Sequence, residues 1–158
     1  MNMQQEKRIV YREDSFVLRL VNENDLDLLL TWANDQEVRR NSFQQKQITY
    51  EEHCAWFKRA MEDADQRLYL LEKDGSPIGQ IRLGIEGDSA EISYSIANGE
   101  RGRGYGKELI RLLKEAVRRE EPGIRKLTAK TKPGNDASIK CFTGNGFEEE
   151  YRQYALKL

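Results

Sequence analysis

Glycine alternates with large or cationic residues in Arg101-Gly102-Arg103-Gly104-Tyr105-Gly106-Lys107, directly downstream of the strand-like Ile92-Ser93-Tyr94-Ser95-Ile96. The chemistry open to such a stretch is anion binding. Residues without Cβ let backbone approach a ligand, and a new helix leaves its first N–H groups unpaired. Arg101 and Arg103 add cationic donors, and so does Lys107, which lies in a first helical turn where the macrodipole disfavours a cation. A pyrophosphate cradle is the expectation. Two familiar phosphate patterns fail on spacing. The dinucleotide pattern G-x-G-x-x-G has Lys107 in place of its third glycine, and a phosphate loop needs Ser or Thr where Glu108 stands.

Acid–base candidates are few. Glu91 opens the strand before the glycine-rich loop and is a candidate general base. A plain strand carboxylate paired with Arg82 is the alternative reading. His53 is the one histidine. Its titration range suits a base, while its place on an apolar helix stripe suits a packed side chain. Cys54 and Cys141 fit no metal spacing with it, so they read as buried free thiols and no metal site is expected.

These groups need elements to hold them. Phe16–Val21 reads as a strand, then a helix capped by Asn22 or Asn24, then a second helical piece from Glu37 to Phe43. Thr49-Tyr50-Glu51-Glu52 is a capping box for a helix with the stripe His53, Trp56, Phe57 and Ala60. From Arg67 the period changes to extended. Three antiparallel strands follow, turning at Asp74-Gly75-Ser76-Pro77 and at Gly87-Asp88. An amphipathic helix from Glu108 to Arg119, a strand at Lys126–Lys130, a helix at Asn135–Thr143 and one or two strands over Phe147–Leu158 complete the chain. The expected class is α/β (α+β): one mixed, mostly antiparallel sheet with helices on both faces.

The 158 residues are read as a single domain, 1–158, with formal net charge -1. No basic excess marks a nucleic-acid binder, no apolar run approaches a membrane span, and the first twelve residues are too polar for a signal peptide. A soluble, cytoplasmic protein is the expectation.

Arg101-x-x-Gly104-x-Gly106 after an apolar strand resembles the acetyl-CoA loop of the GNAT N-acetyltransferases. Asn135, Ser138, Ile139, Gly146 and Phe147 resemble their second motif, and the order of elements is similar over essentially the whole chain. The resemblance implies that acetyl-CoA is the cosubstrate, with Tyr94, Ser95 and Ile96 along its pantetheine arm. Arg101, Gly102, Arg103, Gly104, Tyr105, Gly106 and Lys107 would hold its pyrophosphate, and Asn135 and Ser138 would flank the arm. A backbone N–H on the central strand would meet the thioester oxyanion. The family's usual acid is a tyrosine seven residues after the asparagine, and here Phe142 stands there. Cys141, Tyr94, Tyr105 or water remain open as its substitute, and a pseudoenzyme that senses acyl-CoA is the competing class. Trp32–Arg39 and Glu51–Phe57 resemble segments of acetyltransferases that modify a UDP-linked 4-amino sugar of the pseudaminic type. They are less similar to ribosomal-protein N-terminal acetyltransferases, whose peptide acceptor is the alternative. The resemblance puts Trp32, Arg39, Arg40 and Trp56 in the acceptor pocket, and it admits a homodimer.

Overall fold

Tight hairpins assemble most of the sheet. At the hairpin corner after Lys73, Asp74 and Gly75 both adopt positive φ, 50° and 83°, the paired left-handed conformation that matches strand twist in a two-residue turn. The computed structural model describes residues 7–158. Its strands are β1 (Ile9–Glu13), β2 (Phe16–Leu20), β3 (Gln66–Lys73), β4 (Ser76–Glu86), β5 (Ser89–Ile96) and β6 (Lys126–Ala129). They lie side by side in chain order, antiparallel except for the β5–β6 pair.

Alternation along β3 explains why its middle, Leu68–Leu71, is apolar throughout. Tyr69 and Leu71 enter one core, with Ile81, Leu83 and Ile92, beneath α4 (Tyr105–Glu120). Leu68 and Leu70 enter a second core on the opposite face, with Trp32 of α1 (Leu26–Ala33) and Phe57 and Ala60 of α3 (Tyr50–Glu62). A strand covered on both faces needs no polar side. The expected capping box of α3 is present, with Thr49 accepting from the Glu52 N–H and Glu52 from the Thr49 N–H. Between α1 and α3, the short α2 (Gln36–Asn41) is capped by Asp35, whose carboxylate accepts from the N–H groups of Glu37 and Val38.

Two expectations need correction at the termini. β1 falls in a stretch read only as polar, where Val10 and Tyr11 pack on the α4-side core. At the other end, Phe147–Leu158 forms no strand, and Tyr151 and Tyr154 are 67% and 85% exposed. Glu148-Glu149-Glu150 breaks any apolar period there, and the glutamates pair instead, Glu149 with Arg152 and Glu150 with Lys126.

Candidate active site

A notch opens where β6 leaves β5. The two strands pair only from Ser89↔Lys126 to Ile92↔Ala129, while β5 continues to Ile96 with β4 alone beside it. The backbone groups of Ser93–Ile96 on the β6 side therefore lack a strand partner, an arrangement open to an extended ligand that carries amides.

The glycine-rich loop closes one end of this notch. Gly102 and Gly104 have φ of 77° and 81°, and a Cβ on either would touch nothing within 4 Å. Their need is conformational. Gly104 is the left-handed N-cap of α4 and supplies no side-chain cap, and the first helical bond there runs from the Glu108 N–H to the Gly104 carbonyl. The preceding N–H groups stay available to an anion, helped by the helix dipole. Gly106 differs. A Cβ there would meet Cys141 Sγ at 3.0 Å and the Tyr94 ring at 3.2 Å, so this glycine lets α4 pack and is not itself a point of ligand approach.

The cations of the loop are unequally engaged. Arg101 is bound to Asp35 at 2.6 Å and to Glu37 at 2.7 Å, tying the loop to α2. Burial pushes the Asp35 carboxyl up, but the Arg101 guanidinium and the Val38 and Glu37 N–H groups together hold it below the ordinary carboxylate range. Arg103 is exposed beside Glu100, and Lys107 is exposed with no carboxylate partner among the described residues.

On the α4 side of the notch, α5 (Asp136–Thr143) begins at Asn135, whose side chain accepts from the Ser138 N–H as an N-cap. The Ser138 and Tyr94 hydroxyls are 3.0 Å apart. Burial first, then the Cys141 thiol, push the Tyr94 hydroxyl well above its ordinary value, so it keeps its proton at neutral pH. Phe142 is 8% exposed and packs edge-on to Tyr94. Tyr105 points elsewhere: its hydroxyl binds Lys73 and its ring meets Phe16.

On the α1–α3 side, β4 and β5 present Arg82, Glu91 and Ser93 to a cleft of about 360 Å³. Glu91 is exposed and lies 3.6 Å from Lys130. Its register partner is Gly84, so the alternative pairing with Arg82 is not the one formed. The Arg82 guanidinium lies 5.4 Å from the Trp56 ring centre.

The sequence profile of the acetyltransferase (GNAT) domain matches residues 15–148. This chain belongs to the GNAT acetyltransferase family. An uncharacterised protein of Methanocaldococcus jannaschii is 27% identical over 87% of the chain, which spans 29% of that relative's length. The aminoglycoside N(6')-acetyltransferase type 1 of Klebsiella pneumoniae is 24% identical over 87% of the chain and 76% of the relative. RimL, a ribosomal alpha-N-protein acetyltransferase solved with coenzyme A, shares the fold with TM-score 0.80 at 19% identity, over 91% of this chain and 86% of that one. The domain is that of an acetyl-CoA-dependent acetyltransferase, with acetyl-CoA as cosubstrate.

Within this GNAT domain the sequence-based candidates separate. Tyr94, Ser95, Ile96, Gly102, Arg103, Gly104, Lys107 and Ser138 gather around the notch and its closing loop. His53 does not join them. It is 2% exposed, stacks on Trp56, and its Nε2 donates to the Leu26 carbonyl at 2.8 Å, so it links α3 to α1 and is not placed to act as a base. Arg39 donates to the carbonyls of Ala33, Gln44 and Lys46 and to Ser42, which leaves its guanidinium a staple of the α2 loop and not a free diphosphate ligand. Arg40 is exposed, and its carbonyl accepts from Lys132. Trp32 is a core residue that also lines a cavity of about 230 Å³ beside Asp35 and Arg101. Arg82 was missed as a site residue. The available signal was a lone arginine in an otherwise apolar strand, Ile81-Arg82-Leu83.

Proposed function

We propose that the chain transfers the acetyl group of acetyl-CoA directly to a primary amine, the 4-amino group of a nucleotide-linked amino sugar. The observation that carries the transfer is the vertex of the β5–β6 notch. A cofactor arm added to Ser93–Ile96 ends there, and Glu91 and Ser93 face the acceptor cleft one residue to either side of Ile92.

In this reading Glu91 takes a proton from the incoming ammonium, and the amine attacks the thioester carbonyl. An unpaired N–H of β5 stabilises the oxyanion, a contribution of about 2.7–4 kcal/mol for one preorganised donor. As the carbon–sulfur bond breaks, the pair Tyr94–Ser138 supplies the proton to the thiolate in place of the missing tyrosine at Phe142. Free Cys54 and Cys141 suit a reducing, cytoplasmic setting.

The test is a side-by-side assay of free-thiol release with acetyl-CoA and a UDP-linked 4-amino sugar, free amino sugars, polyamines and short peptides. Turnover of the UDP-linked sugar above all others is expected. Turnover confined to peptides sinks the sugar and promotes an N-terminal peptide acceptor. Saturable coenzyme binding with no thiol release for any amine favours the acyl-CoA sensor.

A further inference from the structure

Six arginines are wholly or partly buried: Arg19, Arg39, Arg67, Arg82, Arg101 and Arg111. Four of them bind carboxylates. Arg19 has Asp25 and Glu72, Arg67 has Glu121, Arg101 has Asp35 and Glu37, and Arg111 has Glu13 and Glu108. Arg39 has three carbonyls and a hydroxyl. Arg82 alone among them has no carboxylate and no carbonyl. Its Nε donates to Ser93 Oγ at 3.2 Å, its guanidinium lies 5.4 Å from the Trp56 ring centre, and its two terminal nitrogens have no partner among the described residues.

Withdrawing a guanidinium from water without a counter-charge is unfavourable, and a fold that keeps one has a use for it. Burial and then the nearby charge of Arg39 lower its pKa, with Glu91 opposing in part. The position is telling. Arg82 faces Ser93 across the β4–β5 ladder, one residue beyond the vertex, and Glu91 lies one residue before it. The same cleft thus offers two carboxylates, Glu86 and Glu91, suited to an ammonium, and a forked cation beside an aromatic ring, suited to an oxyanion.

We propose that Arg82 reads an anionic group, phosphate or carboxylate, carried by the same acceptor molecule as the amine that is acetylated. The inference rests on acetyl transfer occurring at this cleft and not on the acceptor being a sugar. It moves anion recognition from Arg39 to Arg82.

The experiment uses matched acceptors with the full chain and acetyl-CoA: a UDP-linked 4-amino sugar against the free 4-amino sugar, and a dipeptide against its C-terminal amide. Wild type is expected to favour the anionic member of at least one pair. In Arg82→Gln the KM for that member rises at least about tenfold, the effect of losing one charge-assisted hydrogen bond, while KM for acetyl-CoA and for the uncharged member stays within about twofold. Arg82→Lys, which keeps the charge and loses the fork, falls between them. Equal KM changes for both members in a variant with wild-type melting temperature overturn the proposal, as does no change at all. Preference for the free-acid dipeptide, lost in Arg82→Gln, keeps Arg82 and sinks the sugar. Sugar-nucleotide turnover insensitive to Arg82→Gln does the reverse. Where the UDP-linked sugar is the preferred acceptor, calorimetric titration of UDP into coenzyme-saturated protein gives a readout independent of turnover: affinity unchanged by Arg82→Gln and by Arg82→Lys overturns the proposal, and about tenfold weaker binding in Arg82→Gln supports it.

Discussion

The sheet face beneath α1 and α3 has a closed half and an open half, and each contains an arginine. Over β2 and β3 the face is packed, and Arg19, 3% exposed, is held bidentately by Asp25 at 2.8 and 2.9 Å and by Glu72 on the next strand. Over β4 and β5 the helices stop short, the cleft opens, and Arg82 has a hydroxyl and a ring but no carboxylate. A buried charge that the fold fully pairs fixes structure. A partly buried one that the fold leaves half-paired marks the place where a ligand completes the set.

The most drastic way to disturb the open side without touching the closed one is Gly104→Glu. The left-handed φ of 81° disfavours any side chain, and a carboxylate beside the cradle repels pyrophosphate. Calorimetry is expected to show no measurable binding of acetyl-CoA. Because nothing lies within 4 Å of a Cβ there, the loss of stability is confined to the left-handed backbone strain, about 1–2 kcal/mol, and the protein stays folded. Retained binding would mean that the coenzyme lies elsewhere.

Arg19→Ala attacks the closed half. It leaves Asp25 buried without its cation and Glu72 with Lys7 alone, and a loss of roughly 3–5 kcal/mol is expected by denaturant titration. The pH dependence carries the sharper signature. Burial raises the Asp25 carboxyl, but Arg19 and the Asn22 N–H bring it below its ordinary value. A depressed carboxylate gives stability that is present above the unfolded value, about 3.9, and is lost as pH falls through the folded one. Without Arg19, burial is opposed only by the weaker contacts. The folded value then rises above the unfolded one, so the variant gains stability as pH falls from 7 to 5 while wild type does not. A wild-type-like pH profile in the variant would show that the closed half is less dependent on this pair than its geometry implies.

How much of this contrast could be read from sequence depends on range. Hairpins and caps were legible because their signals are local: Asp74-Gly75 made its turn, Thr49 with Glu52 made its box, and the glycines before α4 stood out by spacing. β1 was not legible, since Ile9–Glu13 is short and half polar and becomes a strand only by pairing with β2. The tyrosines after Phe147 suggested strands that the run of glutamates prevents. Long-range pairing was the main blind spot. Arg101 finds Asp35 across 66 positions and Arg39 finds carbonyls of a loop with no motif, so neither engagement has a local signature. His53 was readable both ways until Leu26 proved to be its partner.

Glu91→Gln removes the proton acceptor from the open half while keeping shape and leaving Arg82 in place. Loss of a general base lowers kcat by about 100-fold or more, with KM for acetyl-CoA unchanged because the notch is intact. Both sides of the Glu91–Lys130 pair are half exposed, so stability changes by no more than about 1 kcal/mol. An equally active Glu91→Gln would hand the base role to water and leave Glu91 as the ammonium's electrostatic partner alone.

The smallest expected effect lies at the contact that joins α2 to the cofactor loop. Arg101 can serve the pyrophosphate only if its two carboxylates permit it, and of these Glu37 is 46% exposed while Asp35 is tied to the α2 N-terminus as its cap. Glu37 is therefore the partner that yields. If an incoming pyrophosphate displaces it, Glu37→Gln removes a competitor from Arg101, and KM for acetyl-CoA falls about two- to fivefold, in line with an exposed pair of up to about 1 kcal/mol. The gain shrinks at high salt, which screens such a pair. If the carboxylates instead aim Arg101 at the loop, the same change raises KM. Asp35→Asn separates the two cases further. It loosens the α2 cap as well as the ion pair, so a rise in KM there beside a fall in Glu37→Gln identifies Asp35 as the group that positions Arg101 and Glu37 as the one the coenzyme displaces.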